Sequence, residues 1–424
     1  MKPAASIASA TRRHDLDWLR VIAFGLLILY HVGMFYVTWD WHVKSTHASP
    51  FLEPAMLLLN PWRLALLFFI SGVAVRFALD KTSTARFLRE RSLRLFLPLA
   101  SGMAVVVMPQ AYVELLGKGE IEPGILAFWS TYLVLPPGPF SIITPTWNHL
   151  WYVAYVLAYT VVVALAAPAL NQLAAAPASW FFRRIARDNT GLLLLVGLAL
   201  PFLAYRAWLD PIFPTTHAFG DDWANHAHSL TIFLLGYLVA KNEDFWIAVD
   251  RNWRRAAALA VALGISIVVA RLHWQSVRAN EALFTTVHLA RALYAWVVIL
   301  ALLGMARRWL NRPGSALAYL TPAVFPYYIL HQTLIVLIGF ALLDAGLSAP
   351  VEAALVISGT VAGCVVGYEL IRRAGPLGPL FGAPSGRVRL RHARKPVTTS
   401  QARLAQATPS AQPAATSLGQ CTPR

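Results

Sequence analysis

Ten apolar stretches divide the chain, at about 18–38, 53–79, 95–113, 147–168, 190–209, 226–240, 256–272, 284–305, 322–343 and 351–371. Most approach the roughly 20 apolar residues that a helix needs to cross the hydrocarbon of a bilayer. They are continuous runs, not alternating ones, so they read as helices rather than half-buried strands. The 226–240 stretch is the shortest and opens with His226 and His228. The pattern predicts an all-α integral membrane protein, a bundle of about ten transmembrane helices. Residues 1–17 precede the bundle as a short cytoplasmic segment and 18–371 form it. Residues 372–424 follow as a basic, Ser-, Thr-, Ala-, Gln- and Pro-rich tail that is expected to be disordered.

The connecting segments set the orientation. Alternate segments carry Arg12 and Arg13; Lys81, Arg86, Arg89, Arg91 and Arg94; Arg183, Arg184 and Arg187; Lys241, Arg251, Arg254 and Arg255; Arg307, Arg308 and Arg312; and Arg372 and Arg373. The segments between them hold few bases (Lys44, Lys118, Arg278) and collect Glu114, Glu120, Glu122, Asp210, Asp221 and Asp222. Under the positive-inside rule the first set is cytoplasmic. An even number of spans follows, which keeps the short 226–240 stretch and puts both termini in the cytoplasm. Tryptophans 39, 41, 129, 147, 151, 208 and 223 fall near the opposite ends, as interfacial aromatics do.

Composition narrows the class. Of the residues, 57 % are hydrophobic and 13 % charged, too little polar surface for a soluble chain of this length. The net charge of +16 does not point to nucleic acid, because the bases sit in short clusters between apolar runs. Two cysteines, one in an apolar run and one in the tail, indicate no disulfide framework, metal site or thiol nucleophile.

Ionisable side chains inside spans cost several kcal/mol unless paired or hydrated, so they mark candidate chemistry. The first span carries Arg20 near its start and His31 well inside. Eleven residues at 100° each return to within ~20° of the same azimuth, about 16 Å further along the axis. Both therefore share a face, and Asp17, three residues before Arg20, can pair with it. The plain alternative is that Arg20 snorkels to the interface and His31 bonds a neighbouring helix. Arg63 and His331 lie deep in the second and ninth spans, His288 and Arg291 form an i, i+3 pair in the eighth, and His149 opens the fourth. A mid-membrane histidine suits general base catalysis, since its ordinary pKa lies near working pH. No run of carboxylates marks a proton path and no Gly-rich loop cradles phosphate.

The stretch Asp15-Leu-Asp17-Trp-Leu-Arg20 through His31 resembles the opening of the acyltransferase 3 family, with its Arg-x10-His motif in the first helix. Phe68-Phe-Ile-Ser-Gly72, Arg91-Ser-Leu-Arg94-Leu-Phe-Leu-Pro98, His149-Leu-Trp-Tyr-Val153 and Tyr328-Ile-Leu-His331-Gln332 resemble four later elements, in order, over about 15–371. Within the family the chain looks most like the glucan-modifying branch, which is associated with succinylation of periplasmic glucans. The resemblance implies a multi-pass protein of the bacterial inner membrane. It implies an acyl-CoA donor reaching the site from the cytoplasm, and an acceptor hydroxyl on an extracytoplasmic carbohydrate. His31 would be the catalytic base and Arg20 essential. Arg20 and Arg94, with Asp17, would hold the donor; Arg63, His149 and His331 would line the path or stabilise the oxyanion. No bound cofactor or metal is implied, and an acyl-histidine relay is a second chemical route. The rival class is a transporter or flippase for a sugar-containing substrate, which would give flux without a covalent product.

Overall fold

The computed structural model describes residues 12–134, 138 and 140–383. Most of the expected tail, with its basic cluster Arg387 to Lys395 and Cys421, lies outside the described residues, as do residues 1–11. Sixteen helices follow in chain order: α1 His14–Tyr36, α2 Glu53–Leu79, α3 Thr84–Ser101, α4 Met108–Gly117, α5 Ile125–Tyr132, α6 Trp151–Leu165, α7 Ala167–Ala175, α8 Pro177–Arg187, α9 Leu192–Leu195, α10 Leu200–Trp208, α11 Trp223–Val239, α12 Glu243–Leu272, α13 Trp274–Ala279, α14 Glu281–Trp309, α15 Ser315–Leu342 and α16 Ala349–Arg373. No strand occurs among the described residues, and eight helical stretches are long and apolar enough to cross a membrane. The fifth and sixth expected spans are shorter: Leu192–Trp208, and the 17-residue α11.

Local chemistry explains the boundaries. Ser83, Asn242 and Asn280 cap α3, α12 and α14 by accepting a backbone N–H three residues on. The expected fifth span is not one helix but α9, a 3₁₀ turn and α10, because Pro201 at the start of α10 brings no N–H to continue the ladder. The third span runs from α3 to α4 through a π-helical stretch, Gly102–Val107. The folded region also continues beyond 371: a 3₁₀ segment, Gly375–Phe381, turns back so that the Ser101 hydroxyl donates to Leu380 O, and Gly378 is buried. Phe381, packed against the core, accounts for this segment's folding back.

The close packing of α2 and α11 rests on two glycines. A Cβ on Gly72 would lie 1.9 Å from Phe233 O, and one on Gly236 would lie 2.1 Å from Phe69 O. Backbone meets backbone there, which only small residues allow.

The bases gather at one end of the bundle. Arg307 pairs with Asp250 at 2.8 Å, Lys241 with Asp80, Arg255 donates to Asn189 O at 2.8 Å, and Arg13 lies 4.1 Å over the Trp246 ring. These contacts join the start of α1, the ends of α2, α8 and α14, and the start of α12. At the opposite end Arg271 pairs with Glu53 and the Ser45 hydroxyl donates to Glu352 at 2.6 Å. This is the alternation that the arginine distribution requires.

Candidate active site

Arg20, Phe24, Leu27 and His31 recur on one face of α1, at the i, i+4, i+7, i+11 spacing of a helical stripe. His31 Nδ1 lies 2.7 Å from His331 Nε2 of α15, with the two rings stacked. His331 is fully buried, and its Nδ1 lies 2.6 Å from Tyr328 O. A carbonyl only accepts, so His331 Nδ1 carries the proton and neutral His331 presents a bare Nε2. His31 Nδ1 must then be the donor, which leaves its Nε2 lone pair free. One main-chain carbonyl thus sets the tautomer of both imidazoles.

His31 faces a cavity of about 700 Å³ on the side away from the basic end, and its walls include Tyr30, His42, Arg63, Asn148, His149, His217 and Gln332. Arg63 is buried, with its guanidinium 3.4 Å over the Tyr30 ring and Nη1 donating to Asn60 Oδ1 at 2.6 Å. Its Nε has no hydrogen-bond partner among the described residues, and no carboxylate pairs with it there. A cation–π contact and an amide therefore hold this charge, with donor capacity left over. His149, expected to line the path, borders the cavity but is buried against α15: its Nε2 donates to Ile329 O at 3.1 Å and Tyr328 OH donates to its carbonyl. That bond leaves His149 Nδ1 as a buried acceptor without a partner among the described residues, so the ring offers no N–H to an oxyanion. His331 stands behind His31 rather than in the cavity wall.

Apart from Gln332, which closes the Tyr328-Ile-Leu-His331-Gln332 element, several wall residues and their supports carried no signal of their own in the sequence. Gln332 donates to His42 Nε2 and to Gln110 Oε1, both at 3.0 Å, and His42 Nδ1 meets Glu114 at 2.5 Å. Gln110 donates to Thr333, whose hydroxyl donates to Val106 O in the π-helical stretch. Such stretches recur at functional sites because they re-aim main-chain groups. Asn148 and His217 are the two non-glycine residues with left-handed backbone among those described, and both line the cavity. His217 lies in the loop before α11, stacked on Trp151 at 4.3 Å, and burial pushes its pKa down, so the ring stays neutral.

Arg20 lies toward the basic end and lines none of the three principal cavities. Its Nη2 lies 3.4 Å from Asp17 Oδ1, while Arg12 holds the other Asp17 oxygen at 2.8 Å. The charges of Arg20, Arg91 and Arg94 act on one another, and Arg20 Nε and Arg91 Nε are buried without partners among the described residues. Arg94 itself is exposed on α3. Between these arginines and the histidines stands an aromatic layer, with Phe24 edge-on to Tyr328 at 5.3 Å and to Tyr152 at 6.4 Å.

Residues 13–369, from the start of α1 into α16, match the acyltransferase domain of the acyltransferase 3 family. Glucans biosynthesis protein C of Escherichia coli K12 is 22 % identical over 352 residues, covering 78 % of this chain and 84 % of that protein. The same protein from E. coli O139:H28 (strain E24377A) is 22 % identical over 354 residues, with the same two shares. No solved structure matches the chain. A helical bundle built to cross a membrane, matched along most of its length, belongs to the acyltransferase 3 family and is a membrane acyltransferase.

Proposed function

We propose that the protein moves a short acyl group, acetyl or succinyl, from cytoplasmic acyl-CoA to a hydroxyl of an extracytoplasmic glycan, such as a periplasmic glucan. The relatives' name supports the glucan. The observation that carries the chemistry is the His31–His331 pair at 2.7 Å, with His31 in the wall of a large cavity and His331 behind it. The acceptor enters that cavity. His31 Nε2 takes the proton of its hydroxyl, and the oxygen attacks the thioester carbonyl. The charge of the tetrahedral oxyanion is met by the Arg63 guanidinium, which lines the same cavity, an electrostatic device that typically contributes several kcal/mol. The C–S bond then breaks, and the thiolate leaves with the proton that His31 returns. His331 positions His31 by fixing its tautomer. Arg20, with Arg91 and Arg94, meets the anionic donor at the basic end, where a guanidinium's planar fork suits phosphate.

In this scheme both chain termini and the basic end face the cytoplasm, and the membrane is the bacterial inner membrane. The test is thiol release. The full chain in proteoliposomes, given acetyl-CoA or succinyl-CoA at the basic end, releases free CoA only when a glucan oligosaccharide is also present. Movement of the oligosaccharide across the bilayer with no thiol released from either donor would overturn the scheme in favour of transport.

A further inference from the structure

Beside the large cavity lies a second one, of about 320 Å³, among α2, α6, α10, α11 and α14. Asn60, Leu64, Trp151 and His217 line both, so the two share a wall. The smaller cavity contains two arginines. Arg206 donates to Asp210 at 2.5 Å, and His228 takes the other oxygen of that carboxylate at 3.1 Å. Arg291 has no ion pair, hydrogen bond or aromatic face among the described residues, and its Nε is buried. It sits ten residues into α14, about 15 Å along the helix axis. Arg291 also borders a neighbouring hollow of about 240 Å³, but the arginine there, Arg271, is already paired with Glu53. Two cations and one carboxylate leave the smaller cavity short of one negative charge. An unpaired guanidinium at this depth is costly unless something anionic meets it.

We propose that this cavity is an anion site, in which Arg291 and the free edge of Arg206 hold a carboxylate or phosphate carried by the glycan acceptor. The inference rests on the acceptor entering the larger cavity, and it adds that the acceptor is acidic. Position favours the acceptor over the donor, because the donor arginines stand at the other end of α1, beyond the Phe24 layer. The remaining walls suit a sugar ring: Trp151, Trp296 and Phe202 offer flat apolar faces, while Asn225 and Ser229 offer polar edges. The volume lies at the lower end of the range of ligand pockets, about 300–1,000 Å³.

Binding to the full chain in lipid nanodiscs tests this, read by quenching of tryptophan fluorescence with D-glucuronate, glucose 6-phosphate and neutral D-glucose as probes. At least one acid binds about tenfold or more tighter than glucose, the size expected of a hydrogen bond to a charged group. The tighter of the two acids identifies the anion as carboxylate or phosphate. Arg291→Gln brings that acid down to the affinity of glucose, and Arg291→Lys, which keeps the charge, retains part of the preference. Equal binding of glucose and both acids to the wild-type protein overturns the proposal without reliance on any variant. An undiminished preference in Arg291→Gln overturns it too. Binding of free succinate without binding of either sugar acid would assign the site to the donor's acyl group and overturn the acceptor assignment. None of these readouts uses turnover, so a failure of thiol release would strike the acyl-transfer scheme and leave this result standing.

Discussion

Two groups of arginines lie at opposite ends of the same bundle, and their charges are met in different ways. At the basic end, Arg20 leans on Asp17, itself shared with Arg12, and stands among Arg91 and Arg94. At the cavity end, Arg63 lies over Tyr30 and bonds Asn60, Arg206 pairs with Asp210, and Arg291 has no partner among the described residues. The first group gathers like charges close to an interface, where water and head groups share the cost of their repulsion. The second group spaces its cations around hollows and meets them with aromatic faces, amides and one carboxylate. A cluster of that first kind suits a highly charged mobile ligand, and a lined cavity suits a neutral or singly charged one held in a fixed pose. Between the two stand the packed rings of Phe24, Tyr152 and Tyr328.

Substitutions that separate the ends put this contrast at risk. The largest expected loss is at the histidine between them. His31→Ala lowers kcat by about 10²–10⁴-fold, the usual contribution of a general base, while membrane insertion is kept. Arg20→Lys retains the charge and loses the planar fork, and should raise KM for the acyl donor more than it lowers kcat, with KM for the acceptor unchanged. Equal changes in both KM values would dissolve the division of labour between the ends.

A smaller effect is expected at His331, which touches His31 and not the cavity. His331→Gln lowers kcat by about 10–100-fold, in line with other groups that orient a reactive imidazole. The rate of the wild-type enzyme falls as pH drops through the titration of His31, because a protonated imidazole cannot act as a base. Removing His331 should also move the midpoint of that acid limb. A lower rate with an unmoved midpoint would reduce His331 to a packing role. The smallest effect on rate is expected where neither end is involved. Gly236→Ala forces α11 off α2 and costs about 1–3 kcal/mol of stability, read as a lower Tm, while kcat per folded molecule stays near wild type.

Much of this protein was legible in one dimension. Runs of apolar residues report partition into a bilayer, and clusters of arginine report the side on which a loop stays. Both are properties of segments, and the apolar stretches became helices in the folded chain. The α1 stripe was legible for a similar reason: a helix turns 100° per residue wherever it sits, so Arg20 and His31 share a face before any neighbour is known. Helix continuity was less so. Pro201 divides the fifth stretch, and Gly375–Phe381 adds a 3₁₀ turn after the last span.

Tertiary packing decided the rest. His31 meets His331 across 300 residues, and the tautomer that frees the His31 lone pair depends on a main-chain carbonyl of α15. His149 stands at the head of a span in sequence, and only the fold shows that α15 covers it. His42, Asn148 and His217 lie in loops or at helix ends with no motif to mark them, and they become site residues because helix packing turns them onto one cavity, with buried Gln110 behind them bonded to Gln332 and Asn148. The same holds for Arg291, whose sequence neighbours show only a charge in a span. That it has no partner could be seen only once every helix around it was in place. Hydrophobicity and helical period act on each segment alone, whereas the pairing of polar groups depends on which segments become neighbours, and that is settled by the fit of many side chains at once.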